Sequence, residues 1–316
     1  MNIVVLDGRT LNPGDNPWDE VARLGHFTCH DFTPRELVVQ RARDAEIILT
    51  NKTPLPAETL AQLPRLKFIG VLATGYNVVD TAAARARGIS VANVPVYGTD
   101  SVAEYVFALL LNFHRQVQLH AGLVQQGEWA KNEWTFWRTP LTELSGLTIG
   151  IVGFGRIGQR VAELASAFKM KVLVHTPSRH RPLPENVAWR ELPELFAESD
   201  VVTLHCKLTP QNTGMVNRPL LARMKPAAYL INTARGPLIN ESDLAEALRR
   251  GQIAGAALDV VSTEPMPADS PLLRAPNLTI TPHIAWATLA ARRRLMKATA
   301  ENVAAFLAGR PVNVVN

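Results

Sequence analysis

The feature that most constrains the fold is a run of glycines between an apolar stretch and an amphipathic one. Ile149–Val152 is apolar like a buried strand, and Gln159–Phe168 has helical periodicity. Between a strand and a helix, G-x-G-x-x-G spacing permits a tight turn, close approach of a pyrophosphate to the backbone, and close helix–strand packing. The helix N-terminus then offers unpaired N–H groups to the phosphates. The residues expected to contact a dinucleotide here are Gly153, Gly155, Arg156, Ile157 and Gly158.

Short apolar runs alternate with helical or turn-like stretches along the rest of the chain. The strand-like runs are Ile3–Leu6, Glu46–Thr50, Lys67–Leu72, Leu147–Val152, Lys171–His175, Asp200–Leu204, Ala228–Asn232, Gly255–Val260 and Leu278–Thr281. Parallel strands need crossover connections, so this alternation predicts an α/β fold with doubly wound parallel sheets. A chain of 316 residues is easier to build as two domains than as one.

Composition excludes several classes of protein. Lys and Arg total 33 against 28 Asp and Glu, and the small excess is spread along the chain, which argues against nucleic acid as a partner. No uncharged apolar stretch reaches about 18 residues and the first residues lack a leader pattern, so we expect no membrane segment. Two cysteines, Cys29 and Cys206, suit a reducing compartment, and we expect the cytoplasm. Histidines and cysteines show no zinc-ligand spacing, so we expect no metal.

A long helix is predicted from Ser101 onward. Ser101 and Glu104 have the spacing of a capping box, in which each side chain bonds the backbone of the other residue. Apolar residues then crowd Val106–Leu111 almost all round the helix, more than one buried stripe requires. An interface, within the chain or between subunits, would account for them.

The end of the second strand of the later series suggests which cofactor is preferred. Dinucleotide sites for NAD usually place an acidic residue there to bind the ribose hydroxyls. Here Lys171–His175 is followed by Thr176, Ser178 and Arg179, so hydroxyls and a guanidinium replace the carboxylate. A guanidinium can bind a 2′-phosphate with two hydrogen bonds, so NADP(H) is favoured. The alternative is that the arginines are solvated loop charges and NAD(H) is also accepted.

Three polar residues follow later strands of the same series. They are Arg235, Glu264 and His283, and open α/β sheets bind ligands where their strands end. Each has an alternative interpretation, respectively an exposed helix-flanking charge, a surface turn before Pro265, and a loop histidine after Pro282.

In order and approximate spacing these residues resemble the Arg, Glu and His motifs of the D-isomer-specific 2-hydroxyacid dehydrogenases. The resemblance covers nearly the whole chain and includes Gly70–Asn77 with Asp80, and Gly98–Glu104. Thr50–Pro54 and His283–Thr288 are most similar to members that reduce hydroxypyruvate or glyoxylate to the D-2-hydroxyacid. Thr176 departs from the commoner aspartate at its position, which puts NAD specificity in doubt but not the chemistry.

The resemblance implies a set of site residues. Ala73, Thr74 and Gly75 present backbone N–H groups to the substrate carboxylate, and Trp286 either lines the substrate pocket or packs in the core. Asp259 either binds the nicotinamide carboxamide or caps a strand end. Further cofactor contacts are implied for Cys206, Thr233 and Ala234.

The chemistry explains why those residue types are needed. Reduction of a 2-oxoacid requires a hydride at the ketone carbon and a proton at its oxygen. His283 is the expected proton donor, since imidazole titrates near neutral pH and a neighbouring carboxylate, Glu264, favours its protonated form. Arg235 is the permanent cation expected to hold the substrate carboxylate and polarise the ketone.

The resemblance also implies an architecture. A Rossmann cofactor domain, residues 98–284, is inserted in a flavodoxin-like substrate domain made of residues 1–97 and 285–316, with substrate in the cleft. Members are generally homodimers joined through the cofactor domains. The alternatives are a dehydrogenase of another acid, such as a bulky 2-oxoacid or phosphite, or a dinucleotide-sensing protein like the corepressors that share this fold.

Overall fold

The computed structural model of the chain describes residues 1–131, 134–177 and 182–316. Its strands are β1 Asn2–Val5, β2 His26–Cys29, β3 Ile47–Thr50, β4 Phe68–Val71, β5 Ser90–Ala92, β6 Thr148–Val152, β7 Lys171–His175, β8 Val187–Trp189, β9 Val201–Leu204, β10 Tyr229–Asn232, β11 Gly255–Leu258 and β12 Leu278–Ile280. Its α-helices are α1 Asp19–Ala22, α2 Val38–Ala42, α3 Ala57–Ala61, α4 Thr81–Ala86, α5 Thr99–Arg115, α6 Val117–Gln125, α7 Arg156–Ala167, α8 Leu192–Glu198, α9 Arg218–Leu221, α10 Glu241–Arg249 and α11 Leu289–Leu307. Short 3-10 helices lie at Gly8–Thr10, Arg35–Leu37, Trp129–Lys131, Gly236–Leu238 and Pro271–Arg274.

The chain divides into two compact units. One comprises Met1–Gly98 with Trp286–Asn316, and the other comprises Thr99–Ala285. Assigning substrate to the first unit and cofactor to the second stays a prediction. No helix in the described residues is long and apolar enough to cross a membrane.

The first unit is built on a parallel sheet with the order β2-β1-β3-β4-β5. Successive strand residues point to opposite faces, so Ile3 packs in one core with α11 while Val4 packs in the core on the other face. On the α11 side, the Phe68 and Phe306 rings stack with centroids 4.7 Å apart. Burial on both faces explains why the central strands are continuously apolar.

The second unit is built on a parallel sheet with the order β12-β11-β10-β9-β6-β7-β8. Counted from β6, this is the doubly wound nucleotide-binding order with one further strand at the edge. The direction of winding reverses between β6 and β9, and ligands bind at such switch points at the carboxyl ends of the strands. The predicted fold class, α/β with two doubly wound parallel sheets, is confirmed.

Three strands were not predicted from the sequence. These are β2 and β5, the edges of the first sheet, and β8, an edge of the second. β2 reads His-Phe-Thr-Cys and is half exposed, while β5 and β8 are three residues long. A strand of mixed polarity such as β2, or one of only three residues such as β5 and β8, carries no apolar run long enough to indicate a strand.

The predicted cap at Ser101 is wrong. Helix α5 begins at Thr99, so Ser101 lies within the first turn, and its Oγ donates to the carbonyl of Ala285 at 2.7 Å. The hydroxyl is thereby used to tie the helix to the segment just after β12. The apolar excess of α5 is buried largely inside its own unit, where Val106 and Phe107 share a core with Ile149 and Val161.

His114, in the last turn of α5, makes the stability of this unit depend on pH. Its ring is 7% exposed and packs edge-on against Tyr229, with ring centroids 5.2 Å apart. Desolvation first, and then Arg115, lowers the pKa of His114 below the ordinary value. The unfolded chain therefore binds a proton that the folded chain does not, and stability is lost as pH falls below about 6.5.

We expect His114→Leu, which has similar volume and no titratable group, to weaken this acid destabilisation. The slope of unfolding free energy against pH below pH 6.5 should fall by up to about 1.4 kcal/mol per pH unit. Urea unfolding at pH 7.5, 6.5 and 5.5 measures the slope, with the exposed His26 changed to Leu as control. An unchanged slope in His114→Leu would show that the ring is not held neutral.

Candidate active site

The glycine turn lies between β6 and α7, as the spacing predicts. Gly153 has φ +99°, and a Cβ there would lie 2.5 Å from the backbone N of Cys206. A Cβ on Gly158 would lie 2.2 Å from the Gly153 carbonyl oxygen. Both contacts are impossible for real side chains, so these two positions require glycine.

Gly155 is different, because a Cβ there would meet nothing within 4 Å. It precedes Arg156, the first residue of α7, and no side chain caps this helix end. Among the described residues, no acceptor bonds the backbone N–H groups of Arg156, Ile157 or Gly158. Open space beside unpaired donors at a helix N-terminus fits the pyrophosphate of a dinucleotide.

The neighbouring strands bring further predicted cofactor residues to the same edge of the sheet. Val152 pairs with Leu204, and Leu204 pairs with Asn232, so the residues following β6, β9 and β10 are neighbours. Cys206 follows β9, and burial raises the pKa of its thiol to about 11, so the group is neutral. Thr233 follows β10, and its Oγ1 is buried with no hydrogen-bond partner among the described residues. A buried unpaired hydroxyl at this edge is a second feature that fits a polar ligand.

Two further predicted residues follow strands at the same end of the sheet. Ala234 follows β10, on one side of β6, and Thr176 follows β7, on the other side. The Ala234 N–H donates to Asn232 Oδ1 at 3.0 Å. Thr176 directly follows β7, and its carbonyl accepts from Trp189 Nε1 at 3.3 Å. Ser178 and Arg179 lie outside the described residues.

His205, expected with Cys206 to lie near the ribose of the cofactor, directly follows β9. Its backbone N–H donates to the Val152 carbonyl at 2.7 Å, and its Nε2 lies 2.9 Å from Thr203 Oγ1. Desolvation lowers the pKa of His205 to about 3. The ring is therefore neutral at pH 7 and adds no charge beside the glycine turn.

Arg235 lies three residues beyond β10 in a loop braced by Asn232. Asn232 Nδ2 donates to the Arg235 carbonyl at 2.9 Å, and Asn232 is fully buried. A Cβ on Gly236 would lie 1.9 Å from the carbonyl carbon of Val261, so the two loops run in direct backbone contact. The guanidinium Nη1 donates to the Ala234 carbonyl at 2.6 Å. Asn232 was not predicted as a site residue. Its position as the polar last residue of an otherwise apolar strand could have indicated it.

Glu264 and His283 meet side chain to side chain. His283 Nδ1 lies 2.7 Å from Glu264 Oε2, and the side chains are 25% and 30% exposed. His283 has φ +56°, in the left-handed region that non-glycine residues seldom adopt. A hydrogen bond of this length between a ring nitrogen and a carboxylate fixes the orientation of the imidazole.

Asp259 determines the shape of the loop that carries His283. The residue is 1% exposed and follows β11. Its Oδ1 accepts from Thr281 Oγ1 at 2.7 Å and from the Ile284 N–H at 2.9 Å, and its Oδ2 accepts from the Ala285 N–H at 2.8 Å. Both oxygens thus bond the segment on either side of His283. A role toward the nicotinamide carboxamide stays a prediction.

The other unit carries the predicted carboxylate loop after β4. Among the described residues, the backbone N–H groups of Ala73, Thr74 and Gly75 have no acceptor. The Ala73 carbonyl accepts from the Val94 N–H at 3.0 Å, and the Thr74 carbonyl accepts from Asn93 Nδ2 at 2.7 Å. The carbonyls of Ala73 and Thr74 are thus hydrogen-bonded, whereas the N–H groups of the loop have no acceptor. Such a loop presents donors, which is what an anion site needs.

Trp286 packs in the first unit. It is half-buried, joins the core that includes α11, and meets the Tyr97 ring edge-on at a centroid distance of 6.0 Å. Core packing is therefore at least part of its role, and lining the substrate pocket stays a prediction. The described residues contain no group of three His, Cys, Asp or Glu placed to hold a metal ion.

Comparison with known proteins identifies the family. The sequence profile of the D-isomer specific 2-hydroxyacid dehydrogenase NAD binding domain matches residues 107–285. Hydroxypyruvate reductase of Blautia hydrogenotrophica is 49% identical over the full length of both chains. Glycerate dehydrogenase of Methylorubrum extorquens is 42% identical over 90% of this chain and 89% of that protein.

Solved structures agree with the sequence matches. NADPH-dependent glyoxylate/hydroxypyruvate reductase of Sinorhizobium meliloti has a TM-score of 0.85 and 29% identity, over 99% of this chain and 97% of that one. An acyclic imino acid reductase in complex with NADPH and D-Arg has a TM-score of 0.86 and 31% identity over the full length of both. These matches confirm the family that the motifs indicated and a nicotinamide dinucleotide as cofactor. The chain is therefore an NAD(P)-dependent oxidoreductase and belongs to the D-isomer specific 2-hydroxyacid dehydrogenase family.

Proposed function

We propose that the protein reduces a small 2-oxoacid, hydroxypyruvate or glyoxylate, to the D-2-hydroxyacid and catalyses the reverse oxidation. The observation that carries the proposal is the 2.7 Å contact between His283 and Glu264. Both residues follow strands of the sheet that carries the glycine turn, at the carboxyl end of those strands. The hydroxypyruvate and glyoxylate reductases among the relatives support this substrate class.

Each step of the reaction is assigned to a group of this chain. When bound, the reduced nicotinamide supplies the hydride that adds to the ketone carbon. His283 donates the proton to the ketone oxygen, and we assign donation to Nε2 because Nδ1 is the atom hydrogen-bonded with Glu264. The Glu264 carboxylate orients the ring and balances its charge. The same pair accepts the proton in the oxidation direction.

Substrate binding is assigned to one cation and one backbone loop. The Arg235 guanidinium binds the substrate carboxylate and polarises the ketone, since a planar cation can donate two hydrogen bonds to a carboxylate. To do so, the guanidinium must break its hydrogen bond to the Ala234 carbonyl and donate to the substrate instead. The unpaired N–H groups of Ala73, Thr74 and Gly75 complete carboxylate binding.

Cofactor preference is the finer proposal, and we assign NADP(H). Thr176 stands where a carboxylate would repel a 2′-phosphate, and Arg179 follows close by in the sequence. We expect Arg179→Ala to raise KM for NADPH about tenfold or more, the loss of a charged hydrogen bond, and to leave KM for NADH nearly unchanged.

Initial rates with both cofactors test this preference. Arg249→Ala serves as control, since Arg249 is exposed on α10 and pairs with Glu246. Equal losses with NADPH and NADH in Arg179→Ala would contradict the assignment, because only NADPH carries the 2′-phosphate.

Turnover of a panel of acids tests the function itself. Hydroxypyruvate, glyoxylate, phenylpyruvate and phosphite are supplied with the appropriate nicotinamide, and kcat/KM is compared. Highest values with hydroxypyruvate or glyoxylate support the proposal, and highest values with phenylpyruvate or phosphite indicate a dehydrogenase of another acid. Tight NADPH binding without turnover of any of these acids favours a dinucleotide sensor.

Oligomeric state and location remain predictions. Exposed apolar side chains on α6 and the following loop, including Val117, Val124 and Trp134, suit a homodimer interface. Cys29 and Cys206 are both free thiols, which suits a reducing cytoplasm.

A further inference from the structure

Asp7, two residues beyond β1, is a buried carboxylate that the reaction chemistry does not use. It is 3% exposed. Oδ1 accepts from the Asn51 N–H at 2.8 Å, while Oδ2 accepts from the N–H groups of Lys52 at 2.6 Å and Thr53 at 2.7 Å. The hydroxyls of Thr50 and Thr53 donate to Oδ2 at 3.1 and 3.0 Å. Desolvating a carboxylate is costly, and five donors are what offset that cost here.

The turn that Asp7 holds is connected to the carboxylate loop by one side chain. Asn51 is 4% exposed, and its Nδ2 donates to the Leu72 carbonyl at 2.5 Å. The Leu72 N–H donates to the Thr50 carbonyl at 2.8 Å, so the turn and the end of β4 are bonded in both directions. Leu72 immediately precedes Ala73. The carbonyls of Leu72, Ala73 and Thr74 therefore all accept hydrogen bonds. Among the described residues, the N–H groups of residues 73–75 have no acceptor.

We propose that Asp7 is a positioning residue for 2-oxoacid binding, acting through the 50–53 turn and Asn51 on the loop of residues 73–75. This inference rests on the proposed function of that loop. A carboxylate is required because the amide N–H₂ of an asparagine at position 7 would face backbone N–H groups of the turn, which can donate but cannot accept. Without the carboxylate the turn relaxes, the donor of the Asn51–Leu72 hydrogen bond is no longer held in place, and the loop of residues 73–75 loses one of its supports.

Disturbing this loop should change KM and kcat to different extents. A loop that binds the carboxylate throughout the reaction contributes to substrate and transition state alike, so its disturbance raises KM more than it lowers kcat. Residues 73–75 belong to a different unit from the glycine turn. Cofactor affinity should therefore be unaffected.

The experiment compares Asp7→Asn with Asp15→Asn in the full-length protein. Asp15 lies in the same unit and pairs with Arg292 at 2.7 Å, with no hydrogen bond to the 50–53 turn. We expect Asp7→Asn to raise KM for hydroxypyruvate about 10- to 100-fold, the value of a hydrogen bond to a charged group, with kcat and the NADPH dissociation constant within about threefold. Asp15→Asn should change none of these constants by as much.

Oxalate consists of two adjacent carboxylates and resembles a 2-oxoacid, but it cannot be reduced by hydride transfer here. Its binding therefore gives a readout without turnover. The oxalate-induced rise in unfolding temperature, measured with NADPH present, should be large in wild type and Asp15→Asn and small in Asp7→Asn. If wild type reduces no 2-oxoacid, the proposed function fails, while the oxalate shift still decides the role of Asp7. Equal KM values and equal oxalate shifts in the two aspartate variants would overturn the inference.

Two gentler variants apply if Asp7→Asn does not fold. Thr53→Val removes one hydroxyl from Asp7, and Asn51→Ala removes the bond to Leu72. Each should raise KM for hydroxypyruvate without raising the NADPH dissociation constant. Unchanged KM in both, or parallel changes in KM for acid and cofactor, would again overturn the inference.

Discussion

Changing His283 to alanine is expected to lower kcat for 2-oxoacid reduction by about 10²- to 10⁴-fold, the usual contribution of a positioned general acid. The ring is the group that can donate a proton to the ketone oxygen, and its Nδ1 already bonds Glu264. The dissociation constant for NADPH should be nearly unchanged, because the glycine turn and the unpaired N–H groups of α7 remain intact. Single-turnover and steady-state rates with hydroxypyruvate and NADPH measure the loss.

Two further variants make this result specific. His26→Ala removes an exposed histidine from β2 and should leave kcat unchanged. Glu264→Gln keeps the length of the side chain and an oxygen that can accept from Nδ1, but it removes the charge that balances the protonated ring. Its kcat should fall by about tenfold or more, the loss of one charge-assisted hydrogen bond, and by less than that of His283→Ala. Retention of most activity by His283→Ala would contradict the assignment of the proton donor.

The parts of this site that could be predicted from sequence are those with local causes. Gly153 and Gly158 belong to one short motif between a strand and a helix, so the spacing reveals them even though Gly153 is also crowded by Cys206 beyond β9. Arg235 and His283 could be predicted as site residues because each follows a strand of one parallel sheet, and open α/β sheets bind ligands at the carboxyl ends of their strands. The family resemblance added roles to these positions but was not needed to assign them to the same end of the sheet.

The parts that could not be predicted depend on partners far along the chain. The Ser101 hydroxyl bonds a carbonyl 184 residues away, which no capping pattern within one turn can reveal. The turn that Asp7 holds is more than 40 residues beyond it, and the resemblance of Thr50–Pro54 to the family does not indicate which residue it packs against. Asp259 was identified as important, but sequence could not distinguish a residue facing a ligand from one facing its own chain.

Asp259→Asn is expected to have the second large effect. Thr281 Oγ1 and the N–H groups of Ile284 and Ala285 all donate to Asp259, and each carboxylate oxygen accepts at least one of these bonds. An asparagine has only one oxygen, so its amide N–H₂ must face either the Ala285 N–H or the donors on Oδ1. At 1% exposure water cannot compensate, and the free energy of unfolding should fall by about 1 to 3 kcal/mol.

Activity should fall by more than this loss of stability would cause. His283 is held at φ +56°, a conformation that costs on the order of 1 kcal/mol or more and persists only where the surroundings enforce it. Asp259 bonds residues on both sides of that position, so the variant allows the loop to relax and moves the imidazole from its place beside Glu264. We expect kcat to fall by about 10- to 100-fold, since small misplacements of a catalytic group are costly.

Thr281→Val separates the two effects, because it removes one donor to Oδ1 and leaves the carboxylate in place. It should lower kcat by less than Asp259→Asn does. Asp243 is a partly buried carboxylate at the start of α10 that pairs with Arg218, and Asp243→Asn should leave kcat unchanged. Assays are run well below the unfolding temperature of each variant, so that unfolded protein does not contribute to the loss. If Asp259→Asn loses stability but keeps kcat within about twofold, the loop does not need this carboxylate to place His283, and Glu264 alone orients the ring.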